Sequence, residues 1–479
     1  MAMKRPILCL ALFLLAGSLV KAQEQWDLRK CVEYALTNNI SIKQQDIQAR
    51  ITALTYKQSR LSQFPNLNFS SNLGLNTGRS IDRTTNLFTT QSILYNTFGI
   101  QSSVDLFNFG SKQNIIAANK FDAQASLASV DKLRDDISLN VAGAYLQVLL
   151  NREQVNITKV QMQQTAAQLS NTQKQVNAGA VPELNATQLE AQLATDSANV
   201  ASAKGAEVQS LLNLKALLNI DAGAPFDIAT PPVDRIPLEP IAELQPEPVY
   251  QLALQNLPQQ RVNQLRLLAA QKNADAAKGA LYPSLSAGFS LQTNYSNAKN
   301  NFNILRYNTV GTQPIVIVKS TLDTVYAPVR EPVYSTYSDP YGTQFFNNWG
   351  NGVGISITVP IFNGGTARTN LEKAKLNVRN FELQKQQDNL TLKQDIYKAY
   401  NDAITSYEKF NASAKSVEAA QRAFDFATKR YNIGLLNTIE LITTQTSLFT
   451  AKIQSTLAQY DYVFKMKVLE FYKGQGLKL

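Results

Sequence analysis

The chain has 479 residues, of which 17% are charged, with a formal net charge of +10, two cysteines and no histidine. The missing histidine excludes Ser-His and Cys-His nucleophilic sites and His-ligated metals, and the low cysteine count excludes a disulfide scaffold. The positive excess is spread along the chain rather than clustered, which argues for solvated surface and against a nucleic-acid footprint.

The first 22 residues read as a secretory signal. Lys4 and Arg5 form a basic start, Ile7 to Ala16 an apolar run of ten, and Val20-Lys21-Ala22 precedes a cut at Gln23. Ten apolar residues are too few for the ~20 that a membrane-spanning helix needs. Ser18 stands where a lipid-accepting cysteine would be, so no lipid anchor is expected. Loss of Lys4, Arg5 and Lys21 takes the charge from +10 to +7 (10 − 3), and loss of Cys9 leaves Cys31 alone.

A helix is expected over about 27–63, then a segment that alternates strictly: Leu67, Phe69, Leu73 and Leu75 against Asn68, Ser70, Asn72 and Asn76. A second alternation sets Phe98, Ile100, Val104 and Leu106 against Gly99, Gln101, Ser103 and Asp105. Period two means strands with one apolar and one polar face. From Ser111 to about Gln175 there is no proline and one glycine, Gly143. About 65 residues of helix rise roughly 100 Å, more than a globular core needs. Gly179 marks the turn, Pro182 suits the first turn of the next helix, and a returning helix is expected over about 183–219. Residues 221–248 hold seven prolines and cannot be one helix.

The second half repeats the first. Leu285, Ala287, Phe289 and Leu291 alternate with Ser286, Gly288 and Ser290; Val353, Ile355, Ile357 and Val359 alternate with Gly352, Gly354 and Ser356. The stretch between them, about 296–348, is rich in Tyr, Asn, Ser and Thr and reads as a long external loop. From Thr366 to about Tyr431, Leu392, Ile396, Tyr400, Ala403, Tyr407 and Phe410 recur at coiled-coil spacing. Gly434 marks the second turn. A shift of 255 places Leu106-Phe107-Asn108-Phe109-Gly110 on Ile361-Phe362-Asn363-Gly364-Gly365, Tyr145 on Tyr400 and Gly179 on Gly434; upstream a shift of 218 places Phe64-Pro65 on Tyr282-Pro283. The chain is therefore two copies of one unit. The expected segments are a signal (1–22), a first repeat (23–220), a Pro-rich linker (221–248), a second repeat (249–473) and a short tail (474–479).

Strands of about ten residues suit a tilted transmembrane β-strand. Four strands cannot close a barrel and lipid does not tolerate an open edge. Three chains would supply twelve strands.

Together these features resemble the TolC family of outer-membrane efflux proteins. The resemblance is carried by Phe64-Pro65-Asn66-Leu67 and Tyr282-Pro283-Ser284-Leu285, by the two Asn-X-Gly exits quoted above, and by the turns Asn177-Ala178-Gly179-Ala180-Val181 and Arg430-Tyr431-Asn432-Ile433-Gly434-Leu435-Leu436. It implies an α+β membrane protein: a long antiparallel coiled-coil α-barrel plus a four-stranded share of a trimeric twelve-stranded outer-membrane β-barrel. It also implies a homotrimer in outer-membrane lipid of a Gram-negative bacterium, a periplasmic adaptor, an inner-membrane pump of RND, ABC or MFS type, and no cofactor or nucleic acid.

The resemblance further implies a gate at the helix turns. An acidic ring falls on Glu440 and its companion on Thr443, which is not acidic. The tie between turns falls on Tyr431, Leu436 and Asn185, so a charged tie is lost and a Tyr431–Asn185 hydrogen bond is what remains. Gly179, Ala180, Val181, Gly434, Leu435 and Leu436 would form the adaptor-docking tips, apolar and exposed. The expected function is a passive exit duct for small toxic molecules. Protein secretion as a type I channel is the alternative within transport. A structural coiled-coil envelope protein would explain the helices but not four matched strands.

Overall fold

The computed structural model describes residues 25–81, 86–90, 92–230, 236, 238–298 and 301–474. The expected signal, 1–22, and the tail beyond Gly474 lie outside the described residues. The elements in chain order are α1 (Leu28–Asn38), α2 (Ile40–Leu61), β1 (Asn68–Asn76), β2 (Arg79–Ile81), β3 (Phe88–Thr90), β4 (Ile93–Phe107), α3 (Ser111–Asn177) and α4 (Glu183–Leu218). The second copy gives α5 (Pro246–Asn256), α6 (Pro258–Gly279), β5 (Ser284–Ser296), β6 (Asn301–Ile317), β7 (Thr324–Tyr337), α7 (Tyr341–Asn347), β8 (Gly350–Thr358), α8 (Thr366–Asn432) and α9 (Thr438–Phe471). Two compact units result. One draws on 1–54, 119–270 and 376–479, the other on 55–118 and 271–375.

In the helical unit the repeat is visible in the packing. One core gathers Cys31, Ala35, Val141, Val148 and Leu214. The other gathers Val249, Ala253, Ile396, Ala403 and Leu469, the same positions one repeat later. Equivalent side chains are buried twice because each copy must cover the apolar stripe of its own long helix. Gly143 does not interrupt α3. The ring of Phe464 lies on it, and a Cβ there would stand 3.0 Å from that ring.

The helix expected over 27–63 is two helices. Asn39 breaks it in extended conformation, and its side-chain oxygen accepts from the N–H of Ser41 at 2.9 Å. An asparagine that caps the next helix stops the previous one. The same break recurs at Leu257, where Pro258 opens α6. The linker is tied to both copies. Residues Trp26 and Ile228 form a parallel bridge; the hydroxyl of Tyr145 donates to the Ala229 carbonyl at 2.6 Å; and Arg152 pairs with Glu207 and Asp227. Further along, Glu239 N–H donates to Glu470 of α9 at 2.8 Å.

In the strand unit the four-stranded sheet runs β1-β4-β5-β8, all antiparallel. Its register aligns the alternations. Phe69, Ile100 and Leu291 share one row; Val104, Ala287 and Ile355 share another. The opposite face aligns Ser70, Gly99, Gln292 and Gly350. Most of the apolar face is bare in this chain, Phe69 being 69% exposed and Val353 82%; α7 covers one end, with Phe345 edge-on to Phe98 at 5.6 Å and Tyr341 on Tyr295 at 4.7 Å between ring centres. At the exit from β4, Phe109 and Gly110 both adopt positive φ, as do Gly364 and Gly365 after β8. Two successive left-handed residues turn the strand into the helix, which is why the motif ends in glycine. Phe109 bears the conformation without that freedom, stacked on Tyr282 at 4.9 Å between ring centres.

The stretch read as a loop over about 296–348 holds regular structure. β6 and β7 pair as a separate two-stranded ribbon, and α7 anchors its base, the Gln344 side chain bonding both backbone groups of Ser296. Polar composition suggested a loop, but the β-branched and aromatic content of 302–334 favours a strand.

Candidate functional site at the helix turns

Both turns are built alike. At the first, Ala180 N–H donates to the Gln175 carbonyl and Gly179 N–H to Val176, both at 2.9 Å. At the second, Leu435 N–H donates to Arg430 at 2.9 Å and Gly434 N–H to Tyr431 at 3.0 Å. This pair of bonds closes the last turn of a helix around a left-handed residue. Gly179 has φ +71 and Gly434 φ +77, and neither has an atom within 4 Å of where a Cβ would be. Backbone conformation, not space, therefore demands glycine. Pro182 stands as the N-cap of α4 rather than inside its first turn. Asn437 caps α9, its side chain accepting from the N–H of Glu440 at 2.8 Å.

Glu440 is exposed at the third position of α9, where the helix N-terminus favours a negative charge. Thr443, also exposed, lies three residues on and so on the same face; its hydroxyl donates to the Ile439 carbonyl at 2.8 Å. Ala180 and Leu435 are exposed, Val181 and Leu436 half-buried. Ile433 and Ile439, which the sequence reading did not single out, extend the apolar surface at 69% and 59% exposure.

The expected Tyr431–Asn185 tie is not made. The Tyr431 hydroxyl instead meets Thr172 Oγ1 at 3.1 Å and Thr438 Oγ1 at 3.4 Å. Both threonines are 1% exposed and lie on α3 and the first turn of α9. They occupy the hydroxyl that the asparagine would have met, and Asn185 is left half-buried in the first turn of α4. Deeper in the helices, Thr165 donates to Asp196 at 2.6 Å and Gln445 donates to Thr165 at 3.1 Å. Gln192 donates to the other Asp196 oxygen at 2.9 Å. This knot joins α3, α4 and α9, and Thr165, Asp196 and Gln445 are each 3% exposed or less. The shift of 255 carries Thr172, Thr165 and Asp196 onto Ala427, Ala420 and Ala451. The signal available in the sequence was thus a break in the repeat: a polar residue where the other copy has alanine.

Among the described residues no cluster of His, Cys, Asp and Glu could hold a metal, and no helix is long and apolar enough to cross a membrane. The arrangement offers no acid-base pair. It offers two capped turns with apolar tips, an acidic side chain beside one of them, and a polar seam behind.

The sequence profile described as outer membrane efflux protein matches residues 31–219 and 249–474. The chain is 24% identical over 384 residues to the outer membrane protein TolC of Escherichia coli (strain K12), covering 76% of this chain and 68% of that one. It is 22% identical over 465 residues to the cation efflux system protein CusC of the same organism, covering 94% and 86%. A crystal structure of CusC matches with a TM-score of 0.73 at 18% identity, covering 94% of this chain and 92% of that chain. The alkaline protease secretion protein AprF of Pseudomonas aeruginosa is 21% identical over 369 residues, covering 76% and 65%.

Proposed function

This chain belongs to the outer membrane efflux protein family, a channel of the Gram-negative outer membrane, and from that premise we propose that three copies form the passive exit duct of a tripartite export system for small toxic molecules. The observation that carries this reading is the four-stranded sheet. Most of its apolar face has no cover in the chain, and among the described residues its outer strands β1 and β8 each pair on one side only. In lipid an open edge is costly, so β1 of one copy pairs with β8 of the next. Three copies make twelve strands, an even number within the known range. The sheet's other face, of Ser, Gly, Asn and Gln, then lines water.

In this reading the turns at Gly179 and Gly434 face a periplasmic adaptor, which docks on Ala180, Val181, Leu435 and Leu436. Tyr431 and its two threonines hold α9 against α3. Three Glu440 carboxylates surround the narrow end, where a ring of acid favours cations. An inner-membrane pump supplies the energy.

A clean deletion strain tested against a broad panel of dyes, detergents, drugs and metals decides the cargo. We expect sensitisation of fourfold or more to several compounds, reversed by the wild-type chain. An unchanged panel with an exported protein missing from the medium would replace this reading by type I secretion, the role named for AprF.

A further inference from the structure

The ribbon of β6 and β7 has fourteen paired rows, about 48 Å at ~3.4 Å per residue, and joins no other strand among the described residues. An isolated two-stranded hairpin is marginal in water, yet this one carries exposed apolar side chains on both sides, interspersed on one of them with Asn303, Arg306, Asn308 and Gln313. Register and alternation put Ile304, Tyr307, Tyr326 and Tyr334 on one face and Val316, Val325, Val329 and Val333 on the other. Tyr326 is 58% exposed and Val316 58%. Something must cover each face.

The edges are closed to strand addition. Pro314 removes an N–H from β6, Pro328 and Pro332 remove two from β7, and β6 carries three register shifts. Prolines and bulges are what blunt an edge. Contact must therefore be made through the faces.

We infer that the ribbons of three copies pack head to tail, each tyrosine-bearing face on the valine-bearing face of the next, as a closed collar at the outer end of the duct. The inference rests on the trimeric reading above. Two unlike apolar faces on one element suit a cyclic contact, in which every copy uses both and none is left over. A single foreign partner would cover only one. The charges allow it: Arg330 lies on the tyrosine face, and Glu331, one row away, on the valine face, which also carries Arg306 beside Val333. Both are exposed, and neither has an ion-pair partner in its own chain among the described residues. In a ring each Arg330 meets the Glu331 of its neighbour at the same height. The attachment also fits. The ribbon returns through α7 into β8, the strand whose free edge receives the next copy.

The test places Thr312→Cys on the tyrosine face and Val329→Cys on the valine face of the full-length protein, purified in detergent and treated with a short bis-maleimide. The native Cys31 is fully buried and does not compete. We expect the double variant to run as covalent trimers after boiling in SDS and each single variant to stay monomeric. Arg330→Glu in the double variant should slow cross-linking up to roughly fivefold, and Glu331→Arg added to it should restore the rate. Native mass spectrometry of the same samples separates the two readings. A native trimer whose double variant yields only monomers on boiling, or single variants that cross-link, would overturn the collar and leave the duct. A monomeric wild type would overturn the trimer and the collar with it.

Discussion

At the residue scale, single side chains here act mostly through the backbone. Gly434 is needed for its left-handed φ, since its missing Cβ would meet nothing. Gly434→Ala should therefore destabilise the turn by about 1 kcal/mol without creating a clash. The expected readout is local: amide exchange of Leu435, whose N–H closes the turn onto Arg430, should quicken roughly fivefold while global unfolding is unchanged. An effect spread over the whole helical unit would contradict this. Cys31 is the opposite case, a group whose chemistry is silenced by packing. Burial pushes its thiol up to about 12, so the thiolate is not formed near neutrality. Both glycines were legible in the sequence, because a proline-free helical run must end somewhere and each run meets one glycine there. The true partners of Tyr431 were not legible, because hydroxyl pairing depends on which helices lie side by side.

At the element scale, the polar seam is the feature that distinguishes this helical unit from a plain coiled coil. Thr165, Asp196, Gln192 and Gln445 satisfy one another across three helices. Such knots are costly when half broken, because the groups left behind stay dry. Thr165→Val should thus cost about 1–3 kcal/mol, leaving one Asp196 oxygen and the Gln445 amide without the partner they have now. The double change Thr165→Val with Asp196→Leu should cost less than the single one, and a urea titration followed by circular dichroism compares them. Equal or additive losses would mean that the groups do not act as a unit. The long helices themselves were plain in the sequence. The breaks at Asn39 and Leu257 were not, since one capping side chain decides them and helical periodicity passes through.

At the scale of the whole molecule, what this chain lacks defines it as much as what it has. The largely bare apolar face of the sheet, its single-sided outer strands and the two-faced ribbon each call for more than one copy. Glu440 takes on meaning only there. In one chain it is an exposed carboxylate in the first turn of α9, ordinary for a helix start. In the ring of three proposed above it becomes a filter. Glu440→Gln should then lower cation preference and relieve block by multivalent cations in planar-bilayer recordings. Unchanged selectivity would place Glu440 away from the passage.

The sequence by itself determined the repeat, the four strands with their two faces, the long helices and their glycine turns. Those features follow from periodicity and from local backbone preference, which a linear string records directly. Tertiary structure alone decided that equivalent residues of the two copies build two separate cores. It also decided that Tyr431 answers to threonines rather than Asn185, and that the insert between β5 and β8 is a ribbon. Each of these depends on contacts between residues far apart in the chain, whose pairing is set by register and burial rather than by neighbouring residues.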